Sequence, residues 1–406
     1  MRRWSALLAV CAGVVSAAHA ADWEIDADVR LLHADGPRSF LAGGSGDLRF
    51  GENQSGLQLG RLRLALTQNI GELWSLHLDA SDWGDHDRNP IDLTEAYLLF
   101  RPFPFGGFRA RVKAGAFYAP ISLENRGTGW ESTYTLTPSA INTWIGEELR
   151  TIGVEGQIDW LGTRTGHAMD VGLVGGVFGW NDPAGVELAS QGFMLDDRQT
   201  TLFGDVGRSS SSYPPRRVFR QIGNSAGIYA GVEARYFDRL VVRALRYDNR
   251  ADPGAHDTVT PGYAWLTTFN SAGARLETEG GWTGIAQWMK GETTIAPGGM
   301  RFGYPFDARF LLISKRAGRH TLSGRYDKFE VLTGFTTATG DHYAQYGHAW
   351  TVAYIFEPSA HWRFTLEWLN VTTDSALREQ FFGPEGLVSE HKIEAAFRYS
   401  VGSAVR

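Results

Sequence analysis

Apolar and polar residues alternate with a period of two along almost the whole chain. Between Trp23 and Leu31 the odd positions are apolar and the even positions are charged. Between Lys392 and Val401 the odd positions are again apolar. This spacing is typical of β-strands with one apolar face, and no stretch of helical period competes with it. The sequence therefore predicts an all-β protein.

The links between these strands fall into two classes that alternate along the chain. The short links are Asn69–Glu72, Pro102–Gly107, Leu161–Gly166, Phe237–Arg239, Glu279–Gly281, Arg316–Arg319 and Glu357–Ala360. The long links are Ala34–Gly46, Asp82–Ile91, Tyr118–Glu148, Asn181–Ser225, Arg250–Gly262, Gly291–Pro305, Val331–Gly347 and Thr372–Ser389. Short periplasmic turns and long extracellular loops are typical of a transmembrane antiparallel β-barrel. The links predict about 16 strands, an even number that lets the first strand pair with the last.

The first residues of the chain predict export across an inner membrane. A positively charged start is followed by a short apolar stretch and by the small-x-small ending Ala18-His19-Ala20, which is the pattern of a cleaved signal peptide. The only cysteine, Cys11, lies in this segment, so no disulfide is expected in the exported chain. We predict a signal peptide over residues 1–20 and one barrel over residues 21–406, in the outer membrane of a Gram-negative cell.

A barrel of about 16 strands is wide enough to leave an aqueous lumen. The chain carries 39 Lys and Arg against 45 Asp and Glu, a balance that argues against a nucleic-acid binder. The acidic loop Asp82–Asp87 lacks the spacing of a calcium-binding loop, so neither a metal nor a cofactor is predicted. These features predict a porin in outer-membrane lipid, a channel for passive diffusion of small hydrophilic solutes.

One predicted strand, Phe108–Ala114, has a basic face. Arg109, Arg111 and Lys113 alternate with apolar residues. A lipid-facing Arg or Lys at the bilayer midplane costs about 2–4 kcal/mol, so these side chains should face the lumen. Spaced about 7 Å apart, they would form a ladder for anions. The other candidate pore-lining cations are Arg61, Arg63 and Arg101.

A different interpretation of these charges remains open at this point. If the Asn69–Glu72 turn is tight, Arg63 lies near Asp79 and the two charges only neutralise each other. Acidic and basic residues also mix on other inward faces, so ordinary polar filling of a lumen explains many of them.

The third long link, Tyr118–Glu148, is predicted to fold into the lumen and narrow it, because long loops in compact folds are usually functional. As a surface loop, its charges would only be solvated. The charged residues of this candidate constriction are Glu124, Arg126, Glu131, Glu147, Glu148 and Arg150.

The segment Arg111–Glu124, with the sequence RVKAGAFYAPISLE, resembles a recurring segment of the phosphate-selective porin O/P family. Arg246–Arg250 and Arg325–Asp327 are also similar to that family. The resemblance implies a 16-stranded homotrimeric porin that passes anions, such as phosphate or polyphosphate, along rows of arginines. The chain has only five lysines, whereas that family's phosphate channels also use lysine clusters.

Three other functions are weighed against an anion porin. The first is a non-selective or cation-preferring general porin governed by acidic loops. The second is a barrel enzyme, but the sequence contains no Gly-x-Ser-x-Gly nucleophile motif, so no enzyme is predicted. The third is a receptor or adhesin that acts through the long Asn181–Ser225 link.

Overall fold

The structure is a computed structural model of the 406-residue chain. It describes residues 21–51, 54–84, 91–206, 217–334, 343–376, 378–379 and 386–405. The predicted signal peptide, residues 1–20, lies outside the described residues, as do residues 85–87 of the acidic Asp82–Asp87 loop. None of the helices in the described part of the chain has the length and apolar character that a transmembrane helix requires.

The chain closes into an antiparallel barrel of 16 strands, as the sequence predicts. Each strand pairs with its sequence neighbours, and the first strand pairs with the last, from Glu24 opposite Gly402 to Asp35 opposite His391. The strands are β1 (Asp22–Asp35), β2 (Gly56–Ile70), β3 (Trp74–Asp82), β4 (Asp92–Phe100), β5 (Phe108–Phe117), β6 (Thr151–Trp160), β7 (Met169–Gly179), β8 (Gly227–Tyr236), β9 (Leu240–Asp248), β10 (Leu266–Glu277), β11 (Trp282–Ile295), β12 (Phe302–Ala317), β13 (His320–Leu332), β14 (Tyr343–Ser359), β15 (Trp362–Asp374) and β16 (Leu387–Gly402).

The two faces of the strands follow the period-two pattern. On β1, Ile25 and Leu31 are exposed on the outside, whereas Asp26, Asp28 and Arg30 are buried on the inside. Successive side chains of a strand point to opposite faces, so this pattern separates an apolar outer wall from a charged inner one.

The links between strands alternate between two ends, called here the short-turn end and the long-loop end. At the short-turn end, β8 and β9 are joined by a tight turn in which Phe237 and Asp238 have φ angles of 47° and 55°. Two left-handed central residues suit the right-handed twist of the strands in a hairpin.

Length alone does not separate the two ends as cleanly as the sequence predicts. The predicted Gly291–Pro305 loop is reduced to residues 296–301, because β11 continues to Ile295 and β12 begins at Phe302. The 101–107 turn at the opposite end is longer than this loop. The predicted Ala34–Gly46 loop is instead extended, since β2 begins only at Gly56.

The described part of the chain contains α-helices that lie in the links and not in the barrel wall. Helix α1 (Ala140–Glu148) lies between β5 and β6, and helix α2 (Val186–Gln191) lies between β7 and β8. A small hairpin of His256–Asp257 with Gly262–Tyr263 lies between β9 and β10.

Candidate functional site

The link between β5 and β6, residues 118–150, lies inside the barrel. Its backbone amides at Leu136 and Thr137 donate to the Glu367 carboxylate on β15, at 2.6 and 3.1 Å. The amide of Ala140 donates to Asp327 on β13, at 3.2 Å. These strands are far from β5 around the barrel, so the link crosses the lumen. We call it the first inward loop.

Arg325 on β13 is the main anchor of the first inward loop. Its Nη1 donates to Glu124 Oε1 at 2.9 Å and to the Thr137 carbonyl at 2.7 Å. Its Nη2 donates to the Pro138 carbonyl at 2.9 Å, and its Nε to Asp327 at 2.7 Å. The Arg325 and Glu124 side chains are both completely buried. A guanidinium with several fixed donors can hold carboxylates and carbonyls together in this way.

Helix α1 adds an apolar anchor. Ser139 caps its first turn by accepting from the Asn142 amide, and Trp144 at its centre is 2% exposed. The Trp144 ring contacts Phe269 on β10 and Phe306 on β12, with centroid distances of 5.6 and 5.1 Å. Edge-on aromatic pairs of this kind add stability beyond the area they bury. Part of the inner wall is therefore apolar, and the loop packs on it.

The described part of the link between β7 and β8 also crosses the lumen, and we call it the second inward loop. The Phe193 amide donates to Gln345 on β14 at 2.7 Å, and the Leu202 amide to the Leu93 carbonyl on β4 at 2.7 Å. Between these contacts, Asp197 forms a salt bridge of 2.6 Å with Arg30 on β1. The described part of this loop, 180–206 and 217–226, is thus tied to strands on several sides of the barrel.

The inward fold of the second loop was not predicted, although the sequence contains two signals for it. The loop contains the apolar run Phe193-Met194-Leu195, and Phe193 and Leu195 have no exposed surface. Between Phe306 and Ile313, apolar residues occupy both faces of β12, including the inner one. A polar lumen has no need of apolar inner positions, so such a strand indicates that something packs inside.

A cluster of buried acids lies where the two inward loops meet. Glu147 and Asp196 face each other, and their Oε1 and Oδ2 atoms have no hydrogen-bond partner among the described residues. Burial and the neighbouring Asp196 carboxyl raise the pKa of Glu147 well above its usual value, and burial raises the pKa of Asp196 to about 6. A charged carboxylate is costly where water is excluded, so these groups favour the protonated form.

Glu148, beside this cluster, joins the two inward loops. Its carboxylate accepts from Trp144 Nε1 at 2.6 Å and from the backbone amides of Glu187 and Leu188, at 2.9 and 3.1 Å, at the start of α2. Burial and the nearby Glu187 raise the pKa of Glu148 to about 7. The predicted constriction residues Glu147 and Glu148 thus act as contacts between loops rather than as charges exposed to the lumen.

The basic row, defined as Arg109, Arg111 and Lys113, faces the lumen but is paired with acids on β6. Arg109 lies 2.9 Å and Arg111 3.6 Å from Asp159, and Lys113 lies 3.5 Å from Glu155. The cationic side chains are 39%, 34% and 27% exposed, whereas Asp159 and Glu155 are only 2% and 5% exposed. Water in the lumen therefore contacts the cations more than their partners.

The predicted cations Arg61 and Arg63 also face inward, but they are buried. Arg63 forms salt bridges with Asp79 at 2.6 Å and Asp26 at 2.9 Å, which is the neutralising arrangement left open above. Arg61 pairs with Glu131 of the first inward loop. These two cations hold the loop and the wall rather than line an open passage.

Arg101 is placed differently from the other predicted cations. It lies just beyond the end of β4, and its side chain is exposed. Phe100 is opposite Val112 in the strand register, so Arg101 continues toward the level of Arg111 rather than that of Arg109.

The remaining predicted constriction residues make separate contacts. Arg126 pairs with Glu277 on β10 at 2.8 Å, and both side chains are well exposed. Glu131 bridges Arg61 and Arg398, with a distance of 2.5 Å to the latter. Arg150 is buried, with its guanidinium 3.5 Å from the centroid of the Tyr118 ring. In the described part of the chain, no group of His, Cys, Asp or Glu side chains is arranged to hold a metal ion.

Several solved structures share this architecture. The outer membrane channel DcaP of Acinetobacter baumannii aligns with a TM-score of 0.54 and 11% identity, covering 94% of this chain and 97% of that chain. The anion-selective porin from Comamonas acidovorans aligns with a TM-score of 0.52 and 12% identity, covering 94% of this chain and 99% of that chain. OmpT of Vibrio cholerae, an outer membrane protein folded in vitro and in its trimer form, aligns with a TM-score of 0.51 and 10% identity. The alignment covers 94% of this chain and 99% of that chain.

In sequence, the chain matches neither a protein-family model nor a curated protein. The identities to the solved structures are low, so what is shared is the fold, that of the outer-membrane porins.

Proposed function

We propose that this chain is an outer-membrane porin through which small hydrophilic anions diffuse, with phosphate or polyphosphate as the candidate solutes. The observation that carries the proposal is the unequal exposure of the basic row and its acidic partners. It is supported by the anion-selective porin among the structures of the same fold and by the resemblance of Arg111–Glu124 to phosphate-selective porins. The function needs no catalytic residue and no cofactor.

The electrostatics of the basic row favour anions over cations. Three cations face two acids, Asp159 and Glu155, and the acids lie behind the cations as seen from the lumen. An ion that passes the row is therefore closer to positive than to negative charge. In water, a unit charge about 7 Å away contributes about 0.6 kcal/mol, enough to bias permeation without trapping the ion.

We infer that the two inward loops narrow the passage, because both cross the lumen. Between them the structure leaves a polar cavity of about 20 Å³, lined among others by Arg30, Glu131, Asp197 and Arg398. This is room for a water molecule and not for phosphate, since one water needs about 10–15 Å³ measured this way.

The proposal includes export with removal of residues 1–20, orientation with the short-turn end in the periplasm, and assembly into a homotrimer. The trimer is supported by the trimer form of the Vibrio cholerae protein of the same fold. The orientation is supported by the usual placement of short turns in outer-membrane barrels.

We predict that replacing Arg109, Arg111 and Lys113 together by Gln reduces the preference for anions. The exposed cations are lost while Asp159 and Glu155 remain, so the sign of the lumen charge at this level reverses. The measurement is the reversal potential of the purified protein in a planar bilayer under a KCl gradient, followed by addition of phosphate. We expect the chloride-to-potassium permeability ratio to fall by roughly threefold to tenfold and phosphate block to weaken.

A matched control is the triple replacement of Arg164, Arg239 and Arg316 by Gln. Arg164 and Arg239 lie in exposed turns at the short-turn end, and Arg316 is exposed at the end of β12 that leads into such a turn. The same net charge is therefore removed away from the lumen. This variant should keep the ion preference of the unmodified protein. An equal shift in both variants would exclude a specific role of the basic row. A cation-favouring potential in the unmodified protein would support a general porin, and absence of conductance would support a receptor or adhesin.

A further inference from the structure

The outer wall of the barrel carries a groove across β9 to β13. Its floor consists of small side chains, and its sides are formed by Trp288, Leu311 and Tyr326. The small floor residues are Ala244, Ala272, Ala274 and Ala286. The groove has a volume of about 570 Å³, and Leu311 is 53% exposed there while its neighbour Leu312 is fully buried. The groove thus opens away from the lumen, on the surface that faces lipid.

Two cations lie side by side at this groove. Arg309 on β12 is directly opposite Lys328 on β13 in the register, and both belong to the groove lining. Like charges opposite each other on one sheet face destabilise the pair of strands. Within the described ranges of the chain, neither Arg309 nor Lys328 forms a salt bridge with a carboxylate. The Lys328 ammonium lies over the Tyr346 ring, 5.2 Å from its centroid.

The nearest acidic residues on the outer face of these two strands lie closer to the long-loop end than Arg309 and Lys328 do. Asp307 accepts from Trp288 Nε1 at 3.0 Å, and it lies opposite Glu330, one outward position closer to the long-loop end. Along the outer face toward the long-loop end, the first charged residues after the apolar part of the wall are Arg309 on β12 and Lys328 on β13, and both are positive. A pair of lipid-facing cations that forms no salt bridge with any described residue is complementary to a bound anion.

The height of the cations fits the outer leaflet. Arg309 lies six residues along β12 from Lys315, which is opposite Trp282 next to the short turns. Six residues span about 20 Å along a strand, or about 15 Å of height at the usual tilt, within an apolar band about 25 Å tall. Arg309 and Lys328 thus begin in the upper half of the band, and their long side chains reach up toward the head groups.

We propose that the groove binds a phosphorylated lipid of the outer leaflet, with an acyl chain on the alanine floor and the phosphate between Arg309 and Lys328. This inference rests on the membrane location and orientation in the proposed function, but not on anion selectivity. The floor supplies apolar area without side chains that would displace the lipid. The two cations supply the charge that a phosphate monoester or diester requires.

The test uses the full chain purified in a neutral detergent, with phosphatidic acid and phosphatidylcholine of equal chain length as probes and native mass spectrometry as the readout. The unmodified protein should retain phosphatidic acid in preference to phosphatidylcholine. Replacement of Arg309 and Lys328 together by Gln should weaken phosphatidic acid binding by about tenfold or more, because charged hydrogen bonds to the phosphate are lost. The matched control replaces Arg239 and Lys315 by Gln, which removes the same charge near the short-turn end.

A second variant tests the acyl chain separately. Ala272→Trp fills the groove floor and leaves both cations in place, so it should weaken phosphatidic acid binding as well. Equal binding in the double Gln variant and the unmodified protein would overturn the proposal. So would displacement of the lipid by inorganic phosphate together with no effect of Ala272→Trp, since the site would then recognise a free anion. Conductance in phosphatidylcholine bilayers reports on the proposed function independently of these outcomes.

Discussion

Replacement of Arg325 by Met is expected to release the first inward loop and to raise the single-channel conductance severalfold. The replacement preserves much of the volume but leaves Glu124 and Asp327, both buried, without the guanidinium that holds them. Loss of one partner of a buried ion pair destabilises by about 3–5 kcal/mol, because a buried charge is left uncompensated. The lost stability concerns the contact between the loop and the wall. The backbone hydrogen bonds of β13 to its two neighbouring strands do not depend on the Arg325 side chain.

Two comparisons make the Arg325 result specific. Arg316→Met removes an arginine at the end of the neighbouring strand β12. The Arg316 side chain is 65% exposed, so this variant should leave conductance unchanged. Glu124→Gln added to Arg325→Met removes one of the two stranded charges and should restore part of the lost stability. Cleavage of the 118–150 segment by added protease provides a second readout. A variant that conducts and resists protease as the unmodified protein does would show that Arg325 does not hold the loop.

The contact between the two inward loops is expected to weaken as the pH rises. In the folded protein the pKa of Glu147 is raised and that of Asp196 is raised to about 6, so between about pH 4 and those values the folded state binds more protons than the unfolded one. Stability is then lost as the pH increases through this window. For Asp196 alone, a shift of about two pKa units corresponds to about 3 kcal/mol.

The measurement is hydrogen–deuterium exchange of the amides of α1, corrected for the intrinsic dependence of exchange on pH. Protection should fall by one to two orders of magnitude between about pH 5 and about pH 8. The combined replacement of Glu147 by Gln and Asp196 by Asn should reduce this dependence and leave the part due to Glu148, whose pKa is raised to about 7. Glu72→Gln in an exposed turn should leave the dependence unchanged. An undiminished slope in the double variant would place the titrating group elsewhere.

The barrel could be predicted from the sequence because its signal is local and repeated. The alternation between Trp23 and Leu31 assigns each side chain to one wall, and the order of the links gives the strand count without knowledge of any contact. The positions of loop boundaries were predicted less well. Gly291–Ile295 and Phe302–Pro305 contain glycine, proline and polar residues typical of loops, but their backbones continue the ladder between β11 and β12.

The candidate site could be predicted only in part. The inward direction of Arg109, Arg111 and Lys113 could be predicted because alternate residues of a strand share one face and because a cation facing lipid is unfavourable in free energy. Their partners Asp159 and Glu155 lie more than 40 residues away in sequence, and the pairing depends on the exact register of β5 with β6. The inward path of the second loop depends on Phe193 packing against Phe306 and Phe329 of the inner wall, residues that are far from it in the sequence.

The seam between β1 and β16 contacts both inward loops. Arg30 on β1 forms a salt bridge with Asp197 of the second loop, and Lys392 on β16 donates to Thr137 of the first, at 3.0 Å. Closure of the wall brings these two strands side by side, and packing of the loops connects them from the inside. Barrel closure and loop packing therefore stabilise each other, since a loop that leaves the lumen removes a contact from each side of the seam.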